Sequence, residues 1–155
     1  MLHFNRKTEY ALLSIEHMVR KEGLSVSHPQ VTSAREVSEA YHIPYPLLTK
    51  VLQKLAGKGM IKALHGTKGG YVLAKKPTDI SVADVVTIFD GPVAVVECFK
   101  EEKITCPQWE DCHIRNPFYE LNMKIQDLLT QTTVADLVVG HMASSKVQNE
   151  TRVIS

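Results

Sequence analysis

Apolar residues return at helical spacing from the start of the chain. In "NRKTEYALLSIEHMVRKEG", Ala11, Ile15, Met18 and Val19 fall on one face, which predicts a helix that Gly23 can end. The loop "EGLSVSHPQ" follows. A second helix is expected from Ser33, with Glu36 completing a capping box and Val37 and Ala40 as its buried side. "YHIPYP" reads as a turn, because Pro46 biases position 45 away from helix. Pro46 then suits the first turn of a third helix, where its missing N–H costs nothing. In that helix, "PLLTKVLQKLAGKG", Leu48, Val51, Leu52 and Leu55 form one apolar stripe, and Gly57 and Gly59 close it. Two short β-like runs, "MIKAL" and "GYVLA", flank the glycine-rich "HGTKGG" and predict a hairpin.

The order helix, helix, turn, helix, hairpin is that of a winged helix-turn-helix. The fold class is therefore mainly α with a small β-hairpin: a winged DNA-binding domain over residues 1–76, followed by a second region, 77–142. That region opens with "PTDISVADVVTIFDG", a helix capped by Ser81 and Asp84 and buried through Val82, Val85, Val86 and Phe89. "NPFYELNMKIQDLLTQ" is a long helix with Asn116 as cap and Pro117 first. Its apolar face of Phe118, Leu121, Ile125, Leu128 and Leu129 exceeds what so small a domain can cover. The economical cover is the same helix of a second copy, so a homodimer is expected. "TTVADLV" predicts a last short helix, and residues 143–155 a polar, disordered tail.

Charge sharpens this picture. Residues 1–76 carry 12 Lys and Arg against 5 Asp and Glu, a charge of +7, whereas 77–155 carry 6 against 12, a charge of −6. A basic half joined to an acidic one is the asymmetry of a nucleic-acid-binding module with an appended element. The third helix would present Pro46, Leu47, Thr49, Lys50 and Gln53 to a double-stranded DNA operator. The wing would set His65, Thr67 and Lys68 on the backbone or in the minor groove. A phosphate-binding loop is excluded for "HGTKGG", which has neither the spacing nor a helix behind it. The N-terminus has no apolar run of signal-peptide length and no stretch is long enough to span a membrane, so a cytoplasmic protein is expected. The histidines are scattered and no nucleophile stands at motif spacing, so no enzyme is indicated.

All three cysteines, Cys98, Cys106 and Cys112, lie in the polar loop 97–113, "ECFKEEKITCPQWEDCH". Three is an odd number and cytosolic thiols are kept reduced, so a disulfide framework fits poorly. Thiolates at such positions select an iron–sulfur cluster, zinc or copper(I). The spacing is unlike zinc ribbons, whose cysteines come in close pairs, but three cysteines with His113 could still fill a structural zinc site. A metal-free thiol switch is the remaining alternative.

As an ordered set, "RKTEYAL", "LLTKVLQKLAGKGMI", "HGTKGGYVLAKKP", "ISVADVV", the three cysteines and "TTVADLV" resemble the Rrf family of bacterial winged-helix regulators over about residues 6–139. The cysteine gaps, seven then five intervening residues, are closest to the NsrR and RirA branches. The resemblance implies an iron–sulfur-dependent regulator, expected to be a repressor, that senses nitric oxide, redox state or iron and cluster supply. Cys98, Cys106 and Cys112 would bind the cluster, with a four-iron form favoured over a two-iron one. For the fourth ligand the resemblance points to Glu9, reaching from the other subunit, ahead of His113. The position of the IscR-like histidine is occupied by Arg115, which cannot ligate.

Overall fold

The computed structural model describes residues 3–23, 29–99 and 106–140. Five longer helices, α1 (Arg6–Glu22), α2 (Ala34–Tyr41), α3 (Tyr45–Gly57), α4 (Val82–Asp90) and α5 (Arg115–Gln131), are joined by a hairpin of β1 (Ile61–Leu64) and β2 (Gly70–Leu73). A last helical segment, α6, covers 134–140. The expected winged helix-turn-helix is present, and so is the long helix after it. The loop between α1 and the next strand-like residues, and the polar tail from 143, lie largely or wholly outside the described residues. Among the described residues no helix is long and apolar enough to cross a membrane.

The local rules that build these elements are visible in their ends. Asn5 caps α1 by accepting from the amides of Lys7 and Thr8, and Gly23 closes it at φ 79°. Ser81 and Asp84 form the expected reciprocal box at α4. The Leu48, Val51, Leu52 and Leu55 stripe of α3 is buried as predicted. It meets Ala11, Ile15, Met18 and Val19 of α1 in one core that also takes in Ile80, Val85, Val134 and Val138. The head and the chain's last helix are therefore packed on each other. A short bridge between Ser81 and Thr133 fastens them, with Val82 N–H donating to the Thr132 carbonyl and Val134 N–H to that of Ile80.

Several local expectations change where a distant residue competes. Ser33 does accept from the Glu36 amide, at 3.1 Å. The Glu36 carboxylate, however, turns to α1: it takes Lys21 Nζ at 2.8 Å and lies 3.0 Å from His17 Nε2. His17 Nδ1 is in turn 3.3 Å from the Tyr41 hydroxyl, which accepts from Arg20 at 2.6 Å. This half-buried polar seam locks α2 onto α1. On α2 the inner face is Ala34 and Val37, and Ala40 is exposed. Helix α3 begins at Tyr45 rather than Pro46, with Pro44 at its cap, but Pro46 still lies in the first turn. Helix α5 begins at Arg115, so Asn116 and Pro117 are inside its first turn and Ile114, not Asn116, is at the cap.

The wing is pinned on both edges. Ile61 pairs with Leu73 and Leu64 with Gly70 in antiparallel register, while Thr32 and Tyr71 exchange two backbone hydrogen bonds of 2.9 and 2.8 Å on the other side of β2. Gly70 permits this close approach. A Cβ there would stand 2.6 Å from the Thr32 carbonyl oxygen, a backbone atom that cannot swing away.

Gly70→Ala should therefore detach the Thr32–Tyr71 bridge and cost about 1–3 kcal/mol, seen as a lower melting temperature and faster proteolysis of the wing. The α1–α2 seam makes a second prediction. Burial pushes the Glu36 carboxyl up, but hydrogen bonds from Lys21 and His17, together with the Lys21 charge, outweigh it and hold Glu36 below its ordinary value of 4.5. Its stabilising effect is present above 4.5 and is lost as pH falls through the lowered value. The side chain is 35% exposed, so the effect is under about 1 kcal/mol. Melting curves of Glu36→Gln against pH should lose only this acid-side slope. An unchanged slope would remove Glu36 from the seam's energetics.

Candidate metal-binding and nucleic-acid site

The cysteine loop is anchored on α5 from two sides. On its leading side, the Val95 amide donates to Asn122 Oδ1 at 2.9 Å and Gln126 Nε2 donates to the Val93 carbonyl at 2.8 Å. Asn122 is the only buried residue of α5. Phe99 then meets Tyr119 edge to face at 5.9 Å, closing the short turn Glu97–Phe99 that carries Cys98. On its trailing side the chain is a run of turns: Trp109 N–H donates to the Cys106 carbonyl at 3.1 Å, Asp111 N–H to that of Gln108 at 3.2 Å, and Arg115 N–H to that of Cys112 at 3.5 Å. Residues 106–115 therefore have turn structure of their own. Residues 100–105 lie outside the described residues.

These two anchors bring the three cysteines together. Cys98, Cys106 and Cys112 are free thiols, each half-buried, and all three line one cavity of about 550 Å³ with Val96, Phe99, Ile114, Arg115 and Phe118. His113 lines it too, but Glu9 does not. Glu9 sits in the first turn of α1, paired with Arg6 at 3.1 Å on the surface. Among the described residues no three His, Cys, Asp or Glu side chains already converge as a metal-binding group. The donor set nevertheless suits a soft metal or cluster: three thiols share a mostly apolar cavity.

Sequence reasoning missed Asn122, Gln126 and Arg115. The first two were legible as polar residues interrupting the apolar stripe of α5. Arg115 was noted only for what it cannot ligate. Of the apolar residues Phe118, Leu121, Ile125, Leu128 and Leu129 none is buried, and Leu128 is 64% exposed.

The residues expected to contact nucleic acid lie at the surface. Pro46, Lys50 and Gln53 are exposed at the start and outer face of α3, with Leu47 and Thr49 half-buried, and the Thr49 hydroxyl donates to the Pro46 carbonyl at 3.1 Å. His65, Thr67 and Lys68 are exposed at the wing tip. Lys54 turns away to lie over the Phe89 ring of α4 at 5.0 Å, coupling the outer side of α3 to the helix that leads into the cysteine loop. Asp90, the last residue of that helix, accepts from the buried Thr8 hydroxyl at 2.6 Å and so holds the start of α1.

The Rrf2 family, described as an iron-dependent transcriptional regulator, matches residues 4–140. The chain is 33% identical over 133 residues to the HTH-type transcriptional regulator NsrR of Shouchella clausii, covering 86% of each chain. Its fold is that of CymR, the global cysteine regulator of B. subtilis, with a TM-score of 0.70 at 23% identity over 90% of this chain and 98% of that one. It is also that of T. potens IscR, with a TM-score of 0.62 at 22% identity over 90% and 88%. A winged head, a cysteine-bearing loop and a family match over nearly the whole length lead to one conclusion: the chain belongs to the Rrf2 family of transcriptional regulators and is a DNA-binding regulator, not an enzyme.

Proposed function

We propose that this regulator is a homodimeric repressor whose grip on its operator is set by an iron–sulfur cluster. The observation that supports the reading is that Cys98, Cys106 and Cys112 all line one cavity between the end of α4 and the start of α5. Those thiolates would hold the cluster, with Glu9 of the second subunit or His113 as the fourth ligand. When bound, the cluster supplies reactivity toward nitric oxide, oxygen or iron limitation. The chain's own residues do the rest. Asn122, Gln126 and Tyr119 fix the Cys98 side of the loop to α5, while Asp90 and Phe89 fix the end of α4 to α1 and α3. A change in the loop between these anchors shifts the relative population of head positions, and with it the half-site spacing that a dimer spans.

Dimerisation is supported by the exposed apolar face of α5, where Leu121 and Leu128 are 43% and 64% exposed. DNA contact is supported by the basic head, with Thr49, Lys50 and Gln53 reading bases and Lys68 holding phosphate. A cluster-free thiol switch is the second reading, favoured by the same three free thiols sharing one cavity.

Anaerobically purified protein should be brown and contain iron and acid-labile sulfide. Stoichiometric zinc without visible absorption would sink the cluster reading, and a colourless, metal-free protein whose DNA affinity follows thiol oxidation would select the thiol switch. Alanine at Cys98, Cys106 or Cys112 should give one common phenotype: colourless, folded, dimeric and altered in specific binding, with Glu9→Ala milder and faster to lose its cluster. Leu128→Asp should yield monomers in sedimentation, and a dimer as tight as the parent would move the interface elsewhere. Lys68→Ala should weaken binding to all DNA and reduce the salt slope by roughly one unit. An untouched slope would place Lys68 off the backbone.

A further inference from the structure

Two of the three cysteines begin turns that end on partners of one another. The turn from Cys106 closes at the Trp109 amide, and the turn from Cys112 closes at the Arg115 amide. Trp109 and Arg115 are then joined twice: the Arg115 guanidinium lies 4.6 Å from the indole centroid, and its Nη1 donates to the Trp109 carbonyl at 3.1 Å. Arg115 also lines the thiol cavity and is the first residue of α5. The pair therefore closes a small ring of contacts, Cys106 to Trp109 to Arg115 to Cys112.

We propose that Arg115 and Trp109 are positioning residues that fix the separation of Cys106 and Cys112 before any metal arrives. The inference rests on the reading of the cysteine cavity as a metal or cluster site, and it adds the device that readies it. A planar guanidinium can stack on the indole face and donate to a carbonyl at the same time, which an ammonium cannot do in that geometry. Its positive charge beside the cavity also offsets the negative charge that gathers as thiolates ligate a metal. The cost of ordering this half of the loop is thus met by the protein, which raises the affinity of the site for its inorganic occupant.

The chain's single tryptophan makes the ring directly readable. The experiment uses the reduced, metal-free full-length protein with Arg115→Gln, Arg115→Lys, Trp109→Ala, Trp109→Phe and the double variant Arg115→Gln/Trp109→Ala. Cobalt(II), followed through its thiolate charge-transfer bands, is the probe. Arg115→Gln and Trp109→Ala should each bind cobalt roughly 10–100-fold more weakly, the usual effect of losing a group that orients metal ligands. Trp109→Phe keeps an aromatic face and should stay near the parent, with Arg115→Lys between. The double variant should be no weaker than the poorer single, because both remove the same contact. Without metal, Trp109 emission in Arg115→Gln should shift to the red and quench more readily with acrylamide. Unchanged melting curves would show that the fold is intact, since the core lies away from the loop. Cobalt affinity within twofold of the parent in Arg115→Gln, or losses that add in the double variant, would overturn the clamp. Iron and sulfide are added in parallel. Protein that binds cobalt through its thiolates but forms no cluster would refute the cluster reading alone and leave the clamp to be judged on the cobalt series.

Discussion

Ala11, Ile15, Met18 and Val19 of α1 are completely buried, and the rest of the molecule is stacked around that face. Helix α3 lies against it through its leucine stripe, α4 and α6 join through Val85, Val134 and Val138, and Ile61 and Leu73 of the hairpin complete it. Burying such side chains contributes on the order of 1.5–3 kcal/mol each, far more than any single polar contact here. The polar contacts instead decide orientation. The His17–Glu36–Lys21 seam sets the angle of α2 on α1, and Asp90 on Thr8 sets where α4 ends. Helix α1 thus fixes the geometry of the reading surface and of the platform from which the cysteine loop departs.

The division of labour along the chain follows from that arrangement. The head is a closed packing problem, solved within one chain. Helix α5 is not: its one buried residue is Asn122, which with half-buried Gln126 holds the loop's backbone, and Leu121 and Leu128 are exposed. A helix whose one buried residue is polar gives its inner side to supporting a loop. The loop between α4 and α5 is thus held at both of its ends.

Much of this was legible in the chain because the governing interactions are short in sequence. The Leu48–Leu55 stripe, the Ser81–Asp84 box and the glycine-closed hairpin need only neighbours a few residues away, and each appears where the pattern put it. Misreadings occur where a distant partner outbids a local one. Glu36 has the position to complete its own helix cap, yet Lys21 and His17 offer a cation and a ring nitrogen in a half-buried seam, and the carboxylate goes there. Asn116 looks like a cap, but the turn from Cys112 delivers the chain into helix two residues earlier, at Arg115. At the site the three cysteines stood out by residue type alone. Their supporting contacts did not, because Val95–Asn122 and Val93–Gln126 span about thirty positions in sequence and depend on how α5 folds back.

The fastening of α6 to the head has a consequence for how such a protein can be altered. Thr132 and Val134 are hydrogen-bonded to the two residues flanking the start of α4, and Val134 and Val138 belong to the head's own core. The segment from Gly91 to Ile114 is therefore an excursion that leaves the body and returns to it, with both roots held. Severing one linker cannot separate the head from α6, since either piece would expose apolar surface belonging to the other. A change in the length or cysteine spacing of this excursion leaves those fastenings in place. The scaffold is modular by insertion rather than by concatenation.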